Sequence, residues 1–203
     1  MKYKTKIIIY LLGFLILGIR GFSQKSNPNG YNIFYYENNK ISSEGFLKNG
    51  KPNGYWKNYE RSGVLKSEGN RKNFLLDSTW KFYSKGFLKE QVEYKKNKRN
   101  GLFLEFGDSG ILYAKSTYIN DTLQGKKVIY YPTGEEQFLY NYLDGNYHGM
   151  AYELREDSTI ISIFEYNKGK LVKRDIINRF NSKNERVGLW KEYGPTGILK
   201  EEG

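Results

Sequence analysis

Apolar and polar positions repeat along this chain with a period of about 24 residues from Gly30 onward. Each unit begins with glycine or serine, continues with a run rich in aromatic and β-branched residues, and reaches a second such run after a glycine turn. Repetition at this period indicates one supersecondary unit stacked many times. The units begin at Gly30, Gly54, Ser78, Gly101, Gly125, Gly149 and Gly188.

Each unit has the pattern of a β-hairpin. The first run has the form Gly-x-Trp-x-x-Tyr, and aromatic residues between glycine turns favour strands. Turn residues follow, as at Gly63 and in Pro132-Thr133-Gly134. The second run leads into dipeptides such as Asn49-Gly50, which are typical of tight hairpin turns. No unit has a sustained helical period, and strict alternation fails in places, which predicts bulges.

Hairpins of this length must stack to be stable, because an isolated hairpin is marginal in water. We therefore predict an all-β fold, an elongated open antiparallel meander of stacked hairpin repeats of about 24 residues. The predicted organisation is a linker at 24–29, six repeats at 30–172, a degenerate half-repeat at 173–187 and a partial repeat at 188–203.

Aromatic residues recur at one place in most units and are the main candidate for function. They can form the core by stacking between strands. They can also form an exposed groove for a partner helix, peptide or glycan, and an open sheet has two faces, so both roles are open. The candidate partner-binding aromatics are Trp56, Tyr59, Trp80, Tyr83, Phe103, Phe106, Tyr130, Trp190 and Tyr193.

The segment YYENNKISSEGFLKNGKPNGYWKNYE, which starts at Tyr35, resembles the MORN-repeat-variant family. Gly50, Gly54, Trp56 and Tyr59 fit the pattern of that family, and the similarity extends over roughly residues 30–203. The resemblance implies a twisted, open strip of antiparallel hairpins that acts as a non-enzymatic interaction protein. Bacterial members are commonly labelled as the antitoxin component of a toxin–antitoxin pair.

Three substitutions depart from the family pattern. Ser78 replaces the glycine that begins a unit, whereas Lys127 and Ala151 replace the strand aromatic. The half-repeat at 173–187 also breaks the phase of the repeat. We expect the units that carry these changes to present a different surface.

The first 23 residues have the layout of a secretory signal peptide. Basic residues precede a largely apolar run of 13 residues, Ile7–Ile19, and Gly21 and Ser23 are small residues before a cleavage position at Gln24. A membrane-spanning helix needs about 20 apolar residues. We therefore predict export to the periplasm, cell envelope or extracellular space, which fits poorly with a cytoplasmic antitoxin. Cleavage lowers the net charge from +11 to +7, because four basic residues are lost.

Few residue types for catalysis or metal binding are present. The chain has no Cys and one His, which excludes thiolate and multi-histidine metal sites. His148 lies at a predicted turn, where a polar turn residue is favoured over a general base or ligand. Carboxylate pairs such as Glu135-Glu136 are adjacent in strands and so point to opposite faces. We predict no enzyme, no catalytic residues, no metal and no cofactor.

Basic residues lie among the aromatics at 97–100, 126–127 and 170–174. Export argues against nucleic acid as the partner, so none is expected. Two binding hypotheses remain. The first is a scaffold for a protein partner, of antitoxin or immunity type. The second is an envelope surface module that binds anionic lipid or glycan through basic and aromatic residues.

Overall fold

The computed structural model describes residues 26–183, 185–193 and 199–203, without the side chains of Tyr193 and Lys200. The predicted signal peptide, the beginning of the linker and the turn at 195–197 lie outside the described residues. Within them the chain forms strands and turns and no helix. No described helix could therefore span a membrane.

The described residues form nineteen strands, which follow one another in chain order. Their bounds are β1 Gly30–Tyr35, β2 Ile41–Lys48, β3 Lys51–Tyr59, β4 Leu65–Lys72, β5 Leu75–Ser84, β6 Phe87–Lys95, β7 Lys98–Phe106, β8 Leu112–Ile119, β9 Thr122–Leu123, β10 Gly125–Tyr130, β11 Glu136–Leu143, β12 Asn146–Tyr147, β13 Gly149–Leu154, β14 Ile160–Asn167, β15 Lys170–Ile176, β16 Arg179–Phe180, β17 Arg186–Val187, β18 Lys191–Tyr193 and β19 Leu199–Glu202.

Strands β1 to β15 form one antiparallel sheet in which neighbours in sequence are neighbours in space. The short strands β9 and β12 pair with β8 and β11, and the sheet is open, with β1 at one edge and β15 at the other. This confirms the predicted open meander of hairpins. The pairs β16–β17 and β18–β19 form two small sheets of their own. Residues 173–187 thus complete β15 and contain both strands of the separate β16–β17 pair.

From the second unit onward, the residue that begins a unit has positive φ. Gly54 has φ +82°, and Ser78 adopts the same left-handed conformation at φ 60°, which L side chains rarely adopt. The register also shifts near the end of these strands, for example between Asn58 and Tyr59 and between Phe82 and Tyr83. These bulges explain why strict alternation fails in the sequence.

Buried tryptophans pack on glycines of the preceding strand. Trp56 is opposite Gly45 and Trp80 is opposite Gly69. A Cβ atom at either glycine would lie 2.5 Å from the indole ring, so only glycine leaves room for it. The indole N–H of Trp80 donates to the carbonyl of Asn70 at 2.7 Å, and Trp56 makes the equivalent bond to Phe46 at 3.0 Å.

In the later units the large side chain moves to the opposite strand. Lys127 and Ala151 replace the strand aromatic, and their partners are Tyr140 and Phe164 at the positions equivalent to Gly45 and Gly69. Each cross-strand pair therefore still has one aromatic ring, but the ring lies on the second strand of the hairpin and not on the first. Tyr140 contacts Tyr147, which contacts Tyr166, and Tyr166 contacts Phe164, so the rings of these units form one chain of contacts.

Successive turns at one margin of the sheet are hydrogen-bonded to each other. The amide side chain before the glycine that begins a unit accepts from a backbone N–H 20 residues later, at 2.8 to 3.3 Å. These acceptors are Asn29, Asn53, Asn100 and Gln124. They hold consecutive hairpins in register where the chain reverses.

Asn178 joins the main sheet to the last hairpin. Its side-chain N–H groups donate to the carbonyls of Ile160 and Lys191, both at 2.9 Å, and its carbonyl oxygen accepts from the Lys191 N–H at 2.8 Å. Asn178 is 4% exposed. The repeat is interrupted here, and the hydrogen bonds of Asn178 take the place of the backbone hydrogen bonds that join strands in the earlier units.

Candidate binding surface

The two faces of the sheet differ in character, because successive residues of a strand point to opposite sides. In β3 the buried Trp56 lies on one side, and its exposed neighbour Tyr55 lies on the other. We call the side of Trp56 and Trp80 the buried face and the side of Tyr55 and Lys57 the charged face. Trp80 is 1% exposed although none of the described residues forms a second layer over the sheet, since Phe82, Tyr94 and Leu76 pack beside it.

Charges of opposite sign alternate across four strands of the charged face. Glu44 of β2 is opposite Lys57 of β3, Lys57 is opposite Glu68 of β4, and Glu68 is opposite Lys81 of β5. Cross-strand pairs of this kind stabilise a sheet by roughly 0.2–1 kcal/mol each. We call these four residues the charge ladder.

Each glutamate of the charge ladder accepts hydrogen bonds from two tyrosines. The hydroxyls of Tyr59 and Tyr31 donate to the two carboxylate oxygens of Glu44 at 2.5 and 2.8 Å. One repeat later, the hydroxyl of Tyr83 donates to Glu68 at 2.7 Å, and Tyr55 also bonds to that carboxylate. The same arrangement therefore recurs 24 residues apart.

These hydrogen bonds shift the pKa values of the groups they join. The bonds from Tyr59 and Tyr31 hold the pKa of Glu44 below its usual value. Partial burial acts to raise the pKa of Glu68, but the bonds from Tyr83 and Tyr55 outweigh it and the pKa is lowered. Partial burial and the nearby Glu68 raise the pKa of Tyr55 to about 12. At neutral pH the carboxylates are thus charged acceptors and the phenols neutral donors.

Large side chains remain accessible on and beside the charged face. Tyr55 is 47% exposed and Phe46 is 54% exposed. Tyr31 packs edge-on against Phe46, with 5.2 Å between ring centroids, and so contributes to the same patch. We call Tyr31, Ile33, Phe46 and Tyr55 the aromatic patch. It lies at the β1 end of the sheet, beside the charge ladder.

The candidate aromatics predicted from the sequence include both buried and half-buried residues. Trp56 and Trp80 are buried in the core, whereas Tyr59 and Tyr83 are half-buried beside the charge ladder. Phe103, Phe106, Tyr130 and Trp190 are also half-buried, and the side chain of Tyr193 lies outside the described residues. Trp56 and Trp80 offer no free surface to a partner.

Sequence reasoning missed the aromatic patch and the charge ladder. Tyr55 adjoins Trp56 in sequence but lies on the other face of the sheet. Two neighbouring aromatic residues do not show by themselves which of them is buried. Ser-Glu-Gly occurs at both 43–45 and 67–69, and this repetition is the signal that could have identified Glu44 and Glu68.

His148 precedes Gly149 at the position that Asn29, Asn53 and Gln124 occupy in other units. Its imidazole is exposed, and its backbone N–H donates to the carbonyl of Asn141 at 2.9 Å. The turn itself lies at Asp144-Gly145, so His148 is an exposed polar residue between β12 and β13 and not in the turn where the sequence pattern predicts it. Among the described residues no three His, Cys, Asp or Glu side chains are close enough to hold a metal ion.

Exposed lysines line three consecutive turns at one margin of the sheet. The turns after β2, β4 and β6 carry Lys48, Lys51, Lys72, Lys95, Lys96 and Lys98. In the described part of the chain none of the six forms an ion pair. An open groove of about 560 Å³ lies between two of these turns, beside Lys72, Lys95 and Lys96. We call these six residues the lysine row.

The fold and its surfaces define an open β-hairpin repeat protein. Three segments of the chain, residues 28–49, 52–73 and 186–203, match the family model of the MORN repeat variant. The predicted resemblance is confirmed at these segments, and the first two contain Glu44, Lys57 and Glu68 of the charge ladder. A comparison with curated proteins finds no match.

Proposed function

We propose that this chain is a non-enzymatic, exported scaffold that binds a protein partner through the aromatic patch and the charge ladder. The observation that carries the proposal is the exposure of Tyr55 and Phe46 beside alternating fixed charges. Tyrosines at protein interfaces supply apolar area together with a hydroxyl. The MORN repeat matches support a binding role.

The resemblance to the MORN repeat variant suggests that the protein partner is a toxin and that this chain has an immunity or antitoxin-like role. An exported chain would then meet its toxin in the envelope or leave the cell together with it. Protein sequencing of the processed N-terminus, combined with cell fractionation, tests export. A processed chain that starts at Gln24 supports it, and an intact chain in the cytoplasm contradicts it.

Affinity capture tests the protein partner. The processed chain serves as bait for envelope proteins at low and high salt, together with a Phe46→Ala/Tyr55→Ala variant and a Phe87→Ala variant. Phe87 is 50% exposed and lies outside the aromatic patch, so it is the matched control. One stoichiometric protein that survives high salt, and is lost with the double variant alone, supports the proposal. Retention by the double variant contradicts it.

The lysine row favours a second candidate, an envelope module that binds anionic lipid or glycan. Successive turns at one margin are two strand spacings apart, roughly 10 Å, so the six lysines form a line of positive charge. Co-sedimentation with anionic and neutral vesicles tests this candidate. Binding that needs anionic lipid and weakens with salt supports it. Equal sedimentation of a Lys72→Gln/Lys95→Gln/Lys96→Gln variant would refute it.

A further inference from the structure

The two edges of the main sheet differ in charge. Strand β1, Gly30–Tyr35, carries no charged residue, and the uncharged stretch extends from Ser26 to Tyr36. At the opposite edge, β15 contains Lys170, Lys173, Arg174 and Asp175. Charged side chains on an edge strand protect it against pairing with another strand, and β1 lacks that protection.

Backbone groups of β1 face the open edge. In the last hairpin Trp190 and Gly203 exchange both backbone hydrogen bonds, at 2.8 and 3.0 Å. Asn32 and Gly45 occupy the same two positions in the first repeat and are opposite each other in β1 and β2. By analogy they are also a hydrogen-bonded pair. Because bonded and non-bonded positions alternate in an antiparallel pair, the N–H and C=O groups of Tyr31 and Ile33 point away from β2.

The residues just before β1 do not cover this edge. The side chain of Asn32 bonds to the backbone of Asn27 on the buried face, at 2.7 and 2.8 Å. The carbonyl of Pro28 accepts from the Gly50 N–H in the turn beyond β2, at 2.9 Å. After cleavage before Gln24, the few residues that remain are too short to turn back and add a strand.

We propose that β1 pairs with β1 of a second copy of this chain, so that two sheets join across a twofold axis near Ile33. This inference rests on the cleavage before Gln24 that the proposed function includes. It uses Tyr31 and Ile33 of the aromatic patch and leaves Phe46 and Tyr55, which the partner-binding experiment tests, outside the new interface. An antiparallel pair of identical strands is self-complementary, and β1 brings no like charges together. With the axis at Ile33, the two Ile33 side chains are opposite each other and Tyr31 is opposite Tyr35 of the second copy. Tyr31 is 49% and Ile33 is 39% exposed on the charged face, and both would be partly covered by these cross-strand neighbours.

The test measures the mass of the processed chain in solution by sedimentation equilibrium from 1 to 100 µM. The variants are Ile33→Lys, which puts a charge on the free edge, and Val172→Lys, its control on β15, where the side chain is 61% exposed. We expect the wild type and Val172→Lys to dimerise and Ile33→Lys to dimerise at least tenfold more weakly. Circular dichroism checks that each variant is folded. A monomeric wild type at 100 µM, or an unchanged dimer in Ile33→Lys, overturns the proposal.

A cross-linking measurement keeps the test valid if Ile33→Lys fails to fold. The chain has no cysteine, so Ile33→Cys introduces a single thiol. Cα atoms opposite each other in an antiparallel pair are about 4.5–5.5 Å apart, within reach of a short bismaleimide. Covalent dimers should form with Ile33→Cys and not with Val172→Cys. Equal cross-linking of both, or of neither, contradicts the proposal. If dimers form only when an envelope extract is added, another protein occupies the edge and the proposal also fails.

Discussion

Replacing Trp80 by alanine should destabilise the fold by about 3–5 kcal/mol, the range for deleting a large buried aromatic. The ring is 1% exposed and lies flat on Gly69, so the neighbouring backbone cannot readily close the space that it leaves. Arg71 also packs over the indole, 5.1 Å from its centroid. The removed volume therefore leaves a gap on the buried face among Leu76, Phe82 and Tyr94, which pack beside the ring.

Two further variants separate the contributions to this loss. Trp80→Phe keeps a ring but removes the N–H bond to the Asn70 carbonyl and should cost about 1 kcal/mol for that bond, plus a smaller packing loss. Gly69→Ala places a methyl group 2.5 Å from the indole and should also destabilise. Phe87→Ala, at a half-exposed ring, should cost less than about 1 kcal/mol and is the matched control.

Urea unfolding followed by far-ultraviolet circular dichroism measures these differences, because the midpoint of the backbone transition does not rely on tryptophan fluorescence. Stability in a repeat protein is a sum over neighbouring units, so the transition of each variant is also compared for broadening. If Trp80→Ala loses less than about 1.5 kcal/mol, or no more than Phe87→Ala, the tryptophan–glycine account of the core is refuted.

Three other predictions concern single residues. Ser78→Gly should stabilise the protein by about 1 kcal/mol, since it relieves a left-handed φ of 60°, and a higher melting temperature would show it. Asn178→Ala should release the last hairpin by removing its bonds to Ile160 and Lys191, and the β18 amides should then exchange hydrogen faster while those of β3 do not. Glu44 has a lowered pKa in the folded state, so its stabilisation is present above about pH 4.5 and is lost as the pH falls through the folded pKa. Glu44→Gln should therefore flatten the stability curve in acid, and an acid dependence as steep as that of the wild type would contradict the role given to Tyr31 and Tyr59.

The period of the repeat made the fold predictable from sequence. Glycine at the start of a unit and Asn49-Gly50 in a turn have direct conformational causes, namely positive φ and a tight reversal. The ring of Trp56 was harder to assign, because a regular aromatic spacing fits a core and a groove equally well. The structure assigns the Trp56 ring to the core, because the ring is buried against Gly45 of the preceding strand.

Cross-strand relations explain what sequence reasoning could not provide. Tyr140 compensates for Lys127 because the two are opposite each other in β10 and β11, although they are 13 residues apart in sequence. The bonds of Tyr31 and Tyr59 to Glu44 likewise join three different strands. Such contacts depend on register, and bulges shift the register at positions that the sequence pattern does not mark.

The proposed function depends most directly on whether the aromatic patch binds the captured protein. Calorimetric titration of that protein into the wild type and into the Phe46→Ala/Tyr55→Ala and Phe87→Ala variants measures this. We expect an affinity at least tenfold lower for the double variant and unchanged for Phe87→Ala, at both low and high salt. Equal affinity for all three chains would contradict it.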